Sequence, residues 1–195
     1  DYPKVHLTLL QGSPREIADL LVSGQADVGI ATETVDKVPE LASFPFYSWH
    51  HAVIVPHGHP LITAGEITLE TLSEYPIITY HEGFTGRAHV DKAFADAGIV
   101  PDIVLSAIDA DVIKTYVGLG LGVGVVASVA YDAEQDRNLT LIPVPSLFPA
   151  NTTRLAVRRG TYLRSYAHAF IEKVCPDVGE EAIKAAIKQQ NGNDL

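Results

Sequence analysis

Between Ile77 and Ala127 the chain alternates short β-forming blocks with helix-periodic segments, and this alternation limits the possible fold more than any other feature. The strand-like blocks are Ile77–Tyr80, Asp102–Ser106 and Val123–Ala127. The helical segments between them are Arg87–Ala97, closed by Gly98, and Asp109–Leu119. Strands of this length interleaved with helices indicate an α/β fold, in which each helix crosses a sheet face to join two strands.

A second series opens the chain. Val5, Leu7 and Leu9 alternate with His6 and Thr8, which predicts a strand over Val5–Leu10. Ser13-Pro14-Arg15-Glu16 has the form of a capping box, with a serine cap, proline at the first helical position and glutamate at the third. Ile17, Leu20 and Leu21 supply the apolar face of that helix, and Gly24 its stop. Asp27–Ala31 predicts a short buried strand ending at Thr32, so the segment reads as a β-α-β unit with a parallel strand pair.

Leu41–Pro56 is a long extended run through Phe44, Phe46, Tyr47 and Trp49, and it suggests a passage between two lobes. A short helix is expected at about Leu69–Glu74, and strands at Leu139–Pro143 and Thr153–Val157. Tyr162, Leu163, Tyr166, Phe170, Ile171 and Val174 mark an amphipathic helix. The expected architecture is α/β, with two Rossmann-like subdomains and a cleft between them. Residues 1–46 and 152–176 form the first subdomain, residues 47–151 the second, and residues 177–195 a polar, peripheral tail.

The formal charge of −10 disfavours direct contact with a phosphate backbone, and no Lys/Arg cluster offsets it. The single cysteine, Cys175, cannot form an internal disulfide, in keeping with a reducing, cytoplasmic setting. No secretory signal is read at Asp1. The longest apolar stretch, near Leu119–Ala130, is broken by glycines and falls short of the ~18 apolar residues of a membrane span. No membrane association is expected.

Ligands of open parallel sheets sit beyond the carboxyl ends of strands, near helix N-termini. Three places fit that rule: Ala31-Thr32-Glu33, His81–Gly86 and Ser106–Asp109. His81–Gly86 suits an anion best, because Gly83 and Gly86 let backbone N–H groups approach and Thr85 adds a hydroxyl. A threonine there could equally serve as a helix cap. Asp109 and Asp111 read as a cap and a first-turn carboxylate, which would oppose a bound anion. Trp49, the only tryptophan, and Tyr47 could wall a binding site, although core packing would also explain Trp49.

Other chemistries find no anchor. His50, His51, His57, His59 and His81 lack companion ligands at metal spacing, so no metal is expected. There is no G-x-S-x-G elbow, and no catalytic residues are assigned. Gly118–Gly124 follows a helix and precedes a strand, the reverse of a dinucleotide fingerprint, so close packing explains it better and no cofactor is expected.

Several segments resemble the sensor domain of LysR-type transcriptional regulators, in particular the CysB-like branch that controls sulfur assimilation and cysteine biosynthesis. They are LTLLQGSPREIADLLVSGQADVGIATE (Leu7–Glu33), FYSWHHAVIVPHGHPL (Phe46–Leu61), YHEGFTGRAHVDKAF (Tyr80–Phe94), DADVIKTYVGLGLGVGVVAS (Asp109–Ser128) and RRGTYLRSYAHAFIE (Arg158–Glu172). The resemblance implies a fold like periplasmic solute-binding proteins, with a small-molecule effector between the subdomains. It implies a ligand such as sulfate, O-acetylserine or N-acetylserine, held by uncharged donors. Thr32 matches the threonine of the family's IATE motif and Thr85 that of GFTGR, with Gly83 and Phe84 beside it. Tyr47 and Trp49 fall on its Y-x-W positions.

The family's DNA-binding winged helix-turn-helix, and a first sensor strand and helix with a T-x-T-Q motif, are expected to lie outside this chain. Any DNA contact is therefore expected only through that N-terminal domain, in a homodimer or homotetramer. The alternative reading is a solute-binding protein for an oxyanion such as sulfate.

Overall fold

The computed structural model describes residues 2–188, which divide into two compact units. Unit 1 comprises residues up to Tyr47 and from Thr152 onward, and unit 2 is Ser48–Asn151. Among the described residues no helix is long and apolar enough to cross a membrane.

Unit 2 is a five-stranded sheet in the order β5-β4-β6-β3-β7. Its strands are β3 (His51–Pro56), β4 (Ile77–Tyr80), β5 (Ile103–Ala107), β6 (Val123–Ala127) and β7 (Leu139–Pro143). β4 runs parallel to both β5 and β6, whereas β3 is antiparallel to β6 and β7. The parallel part is the region where the sequence alternates strand and helix.

Both faces of this sheet are covered, which explains why β6 reads as an unbroken apolar run rather than an alternating one. Val53, Val55, Val123 and Val125 face one core with Val90 and Phe94 of α3 (Thr85–Asp96). Ile54, Ile78 and Val126 face the other with Ile113 and Val117 of α4 (Ala110–Gly118). Helix α4 approaches the sheet very closely. A Cβ added at Gly124 would come within 2.4 Å of Ile54 and 2.9 Å of Val117, so only glycine fits there. The glycine run is thus a packing device. The short α2 (Leu69–Ser73) seals one core with Leu72.

Unit 1 contains the three-stranded sheet β1-β8-β2, built from β1 (Gly29–Thr32), β2 (Leu41–Trp49) and β8 (Asn151–Arg158), with the last residues of β2 and the first of β8 reaching into unit 2. Helix α1 (Pro14–Val22) starts with the expected capping box. Ser13 accepts from the Glu16 amide, and the Glu16 carboxylate accepts from the Ser13 amide at 2.7 Å. Ala18 and Leu21 of α1 pack with Ala31, Leu41 and Ala156. Leu155 and Val157 pack with Leu163 and with Ala167 and Ile171 of α5 (Ser165–Val174).

Three expectations require correction. Val5–Leu10 is not a strand: among the described residues it pairs with no sheet, and Leu7 and Leu9 are 80% and 83% exposed. Alternation alone cannot make a strand when no ladder partner stands beside it. The β-α-β unit therefore does not form, and β1 pairs with β8 in antiparallel register instead.

The segment after Pro176 is not a peripheral polar tail. Helix α6 (Glu180–Lys188) sends Ile183 and Ile187 into the core of unit 1, beside Ile171 and the buried thiol of Cys175. The Gly160 amide donates to the Ile187 carbonyl, and the Arg159 guanidinium to that of Ala186, which satisfies the helix end. Residues 189–195 of the expected tail lie outside the described residues.

Truncating Ile183 to alanine should therefore cost about 2–5 kcal/mol in a urea unfolding titration, as for a buried aliphatic side chain. An unchanged midpoint would return α6 to the surface.

Candidate ligand-binding site

The carboxyl end of β4 leads into the site. After Tyr80 the chain turns through residues 81–84, with the Phe84 amide donating to the His81 carbonyl at 3.1 Å and the Gly83 amide to His81 Nδ1 at 3.3 Å. The turn delivers the N-terminus of α3. Phe84 is the cap residue and contributes no side-chain bond; its ring lies 6.2 Å from that of Tyr80. Thr85 begins the helix instead of capping it, and α3 starts two residues earlier than the expected Arg87. A twelve-residue helix thus directs its positive end toward the 81–85 turn.

Arg87 fixes this corner. It is 6% exposed, and its guanidinium donates to the Asp91 carboxylate at 2.7 Å, the Tyr80 carbonyl at 3.0 Å and the Ser106 hydroxyl at 3.1 Å. One side chain therefore ties α3 to the carboxyl ends of both β4 and β5. Asp91 neutralises it, so Arg87 supports the turn without presenting a free positive charge. At the neighbouring strand end, Asp109 caps α4 by accepting from the Asp111 amide, and Asp111 pairs with Lys114. Those carboxylates serve the helix, as expected.

Trp49 is 9% exposed and belongs to the same corner. A Cβ on Gly86 would lie 3.2 Å from Trp49 Cη2 and 3.0 Å from His51 Nε2, so the first turn of α3 rests directly on both rings. The Trp49 and His51 rings meet edge to face at 5.2 Å, and Phe148 meets His51 at 5.3 Å. Both readings of Trp49 are therefore compatible with its place: it is packed, and it is packed against the candidate site.

The structure brings together Gly83, Phe84, Thr85 and Trp49, all in unit 2. Thr32 and Tyr47 belong to unit 1. Thr32 ends β1, and Tyr47 stacks edge to face on Phe46 at 4.8 Å. Two other histidines have local roles. His57 bridges Thr140 and the Arg137 carbonyl, and His59 accepts from the Leu61 amide.

Three participants were not singled out by sequence reasoning: Arg87, His51 and Asn151. His51 and Asn151 are 1% and 0% exposed, and Asn151 Nδ2 stands 3.5 Å from His51 Nδ1. Burial pushes the imidazole down to about 4, with repulsion from the His89 and His50 rings adding to it. The Gly86 backbone offsets this in part, though not in hydrogen-bonding geometry.

Above the ordinary histidine value of 6.5 the ring is neutral in folded and unfolded chains alike, and it costs no stability. As pH falls below 6.5, the unfolded chain takes up a proton that the folded chain refuses until about 4. Stability should decline through that window, by about 3 kcal/mol at its lower end. Urea unfolding of wild type and His51→Phe at several pH values should show a shallower acid decline in the variant; parallel curves would remove His51 from the balance.

Residues 1–174 match the LysR substrate binding domain. The regulator SsuR of Burkholderia cenocepacia is 53% identical over 188 residues, which cover 96% of this chain and 61% of the relative. CysB of the same organism is 51% identical over 187 residues, with coverage of 96% and 60%. The chain thus spans about three fifths of the length of these curated relatives. The crystal structure of the cofactor-binding domain of the Cbl transcriptional regulator superposes with a TM-score of 0.90 at 46% identity, covering 96% of this chain and 82% of that one. The chain belongs to the LysR family of transcriptional regulators and contains the substrate-binding domain that it shares with SsuR, CysB and Cbl.

Proposed function

We propose that this domain senses a small metabolite of sulfur assimilation, either an inorganic sulfur oxyanion or an acetylated serine, on behalf of a regulator whose DNA-binding part lies outside the chain. One observation carries the reading. The turn after β4 offers glycine, a hydroxyl and a helix N-terminus, while its nearest guanidinium, that of Arg87, is committed to Asp91 and Ser106. A corner of this kind recognises an anion through neutral donors and the helix dipole.

Thr85 and Trp49 are the proposed contacts of unit 2, with Gly83 and Phe84 shaping the turn. Thr32 and Tyr47 are those of unit 1. We take the domain as non-catalytic, since its role is to change state on binding. That change needs different ligand affinity in two conformations, which an intact homodimer or homotetramer would pass to promoter DNA. With a formal charge of −10, the domain itself is poorly suited to touch that DNA. The relatives are transcriptional regulators, and a solute-binding protein finds no support among them.

Calorimetric titration with sulfate, thiosulfate, O-acetylserine and N-acetylserine tests the proposal, on this chain and on the full-length protein. At least one compound should bind the full-length protein. Thr85→Ala and Thr32→Ala should each weaken it by ~0.5–3 kcal/mol, toward the upper end for a charged ligand. Full affinity in both variants would move the site elsewhere.

A further inference from the structure

We infer that His51 and Asn151 are positioning residues for the effector site, holding the Trp49 indole and the first turn of α3 in place through the buried imidazole. The inference rests on the site proposed above. It starts from a juxtaposition that effector binding does not by itself require: two fully buried polar side chains, 100 residues apart in sequence, meeting behind the site.

His51 is too enclosed to touch a ligand. Its Nε2 faces Gly86 and its ring edge faces Trp49, with Phe148 on the remaining side. It can act only through these neighbours. Two of them, Gly86 and Trp49, border Thr85 and the anion-facing turn. With the amide of Asn151 as oriented, Nδ1 accepts and the proton stays on Nε2, so the ring is held neutral in one tautomer. The positively charged form is opposed by burial and by the His89 ring of α3 and the adjacent His50.

The polar cost of this arrangement is high for mere packing. Neither His51 Nε2 nor Asn151 Oδ1 has a hydrogen-bond partner among the described residues, and an apolar pair would fill the same volume without that cost. The pair also has a topological meaning. Unit 2 begins at Ser48 and ends at Asn151, so the contact joins its last residue to a residue at the start of its first strand, β3. The two ends of the unit's chain are thus gathered at the ring that supports the effector site.

Trp49 is the only tryptophan, so its fluorescence reports this corner alone. The experiment uses the full-length protein at pH 7.5, where the imidazole is neutral. His51→Phe keeps a ring of similar size, so the protein should still fold, with a lower melting temperature because the buried Asn151 amide loses its acceptor. In the folded protein it should also shift Trp49 emission without ligand and weaken the best-binding of the four sulfur compounds about tenfold. Asn151→Ala should do the same alone and add little in the His51→Phe background, because the two act as one unit.

A merely structural pair would leave affinity and Trp49 emission of the folded protein intact whatever the melting temperature, which overturns the inference. So does additive behaviour of the two substitutions. If His51→Phe fails to fold, Asn151→Ser carries the same expectations. If wild type binds none of the four compounds, the proposed function fails, and Trp49 emission decides the positioning role: no shift in either variant overturns it.

Discussion

A glycine at position 86 is the condition on which the site depends. Its missing side chain lets the Trp49 and His51 rings lie against the α3 backbone, where an alanine methyl would press on both. That approach brings three things together: the start of a helix, an aromatic wall and a buried polar contact between the two ends of one unit. Arg87, the next residue, faces inward and anchors two strand ends. Consecutive residues of α3 thus serve opposite purposes, one by having no side chain and the other by having a long one.

The electrostatics of the corner follow a consistent pattern. The cations near it are paired, Arg87 with Asp91 and more distantly Glu82, and Lys114 with Asp111 and Asp136, while burial keeps His51 from charging. What remains is the weaker and more directional polarity of backbone amides, hydroxyls and a helix end. Such groups need little reorganisation if a ligand of the proposed kind arrives.

Much of the fold was legible in the sequence because its signals are local. The capping box at Ser13–Glu16, the strands β4, β6 and β7, and the stop at Gly98 depend on neighbours a few residues away. What could not be read depended on distant partners. Val5–Leu10 has the alternation of a strand, but pairing is decided elsewhere in the chain. The isoleucines of α6 look sparse in a charged segment until Ile171 and Cys175 are beside them. Within the site, Thr85 and Trp49 could be nominated from motif and residue type, whereas His51, Asn151 and Arg87 acquire their roles only through folding. A lone histidine or asparagine in a strand-like run has no local signature of burial.

The open character of residues 5–10 has a practical consequence for the isolated domain. A segment with Leu7 and Leu9 facing solvent presents apolar surface that another molecule can cover. Nothing on this segment guards it: lysine occurs at position 4 but not within the alternating run, and no proline interrupts it. Leu7 and Leu9 make little of the core, so a single charged residue in place of either should bear on solubility more than on folding stability.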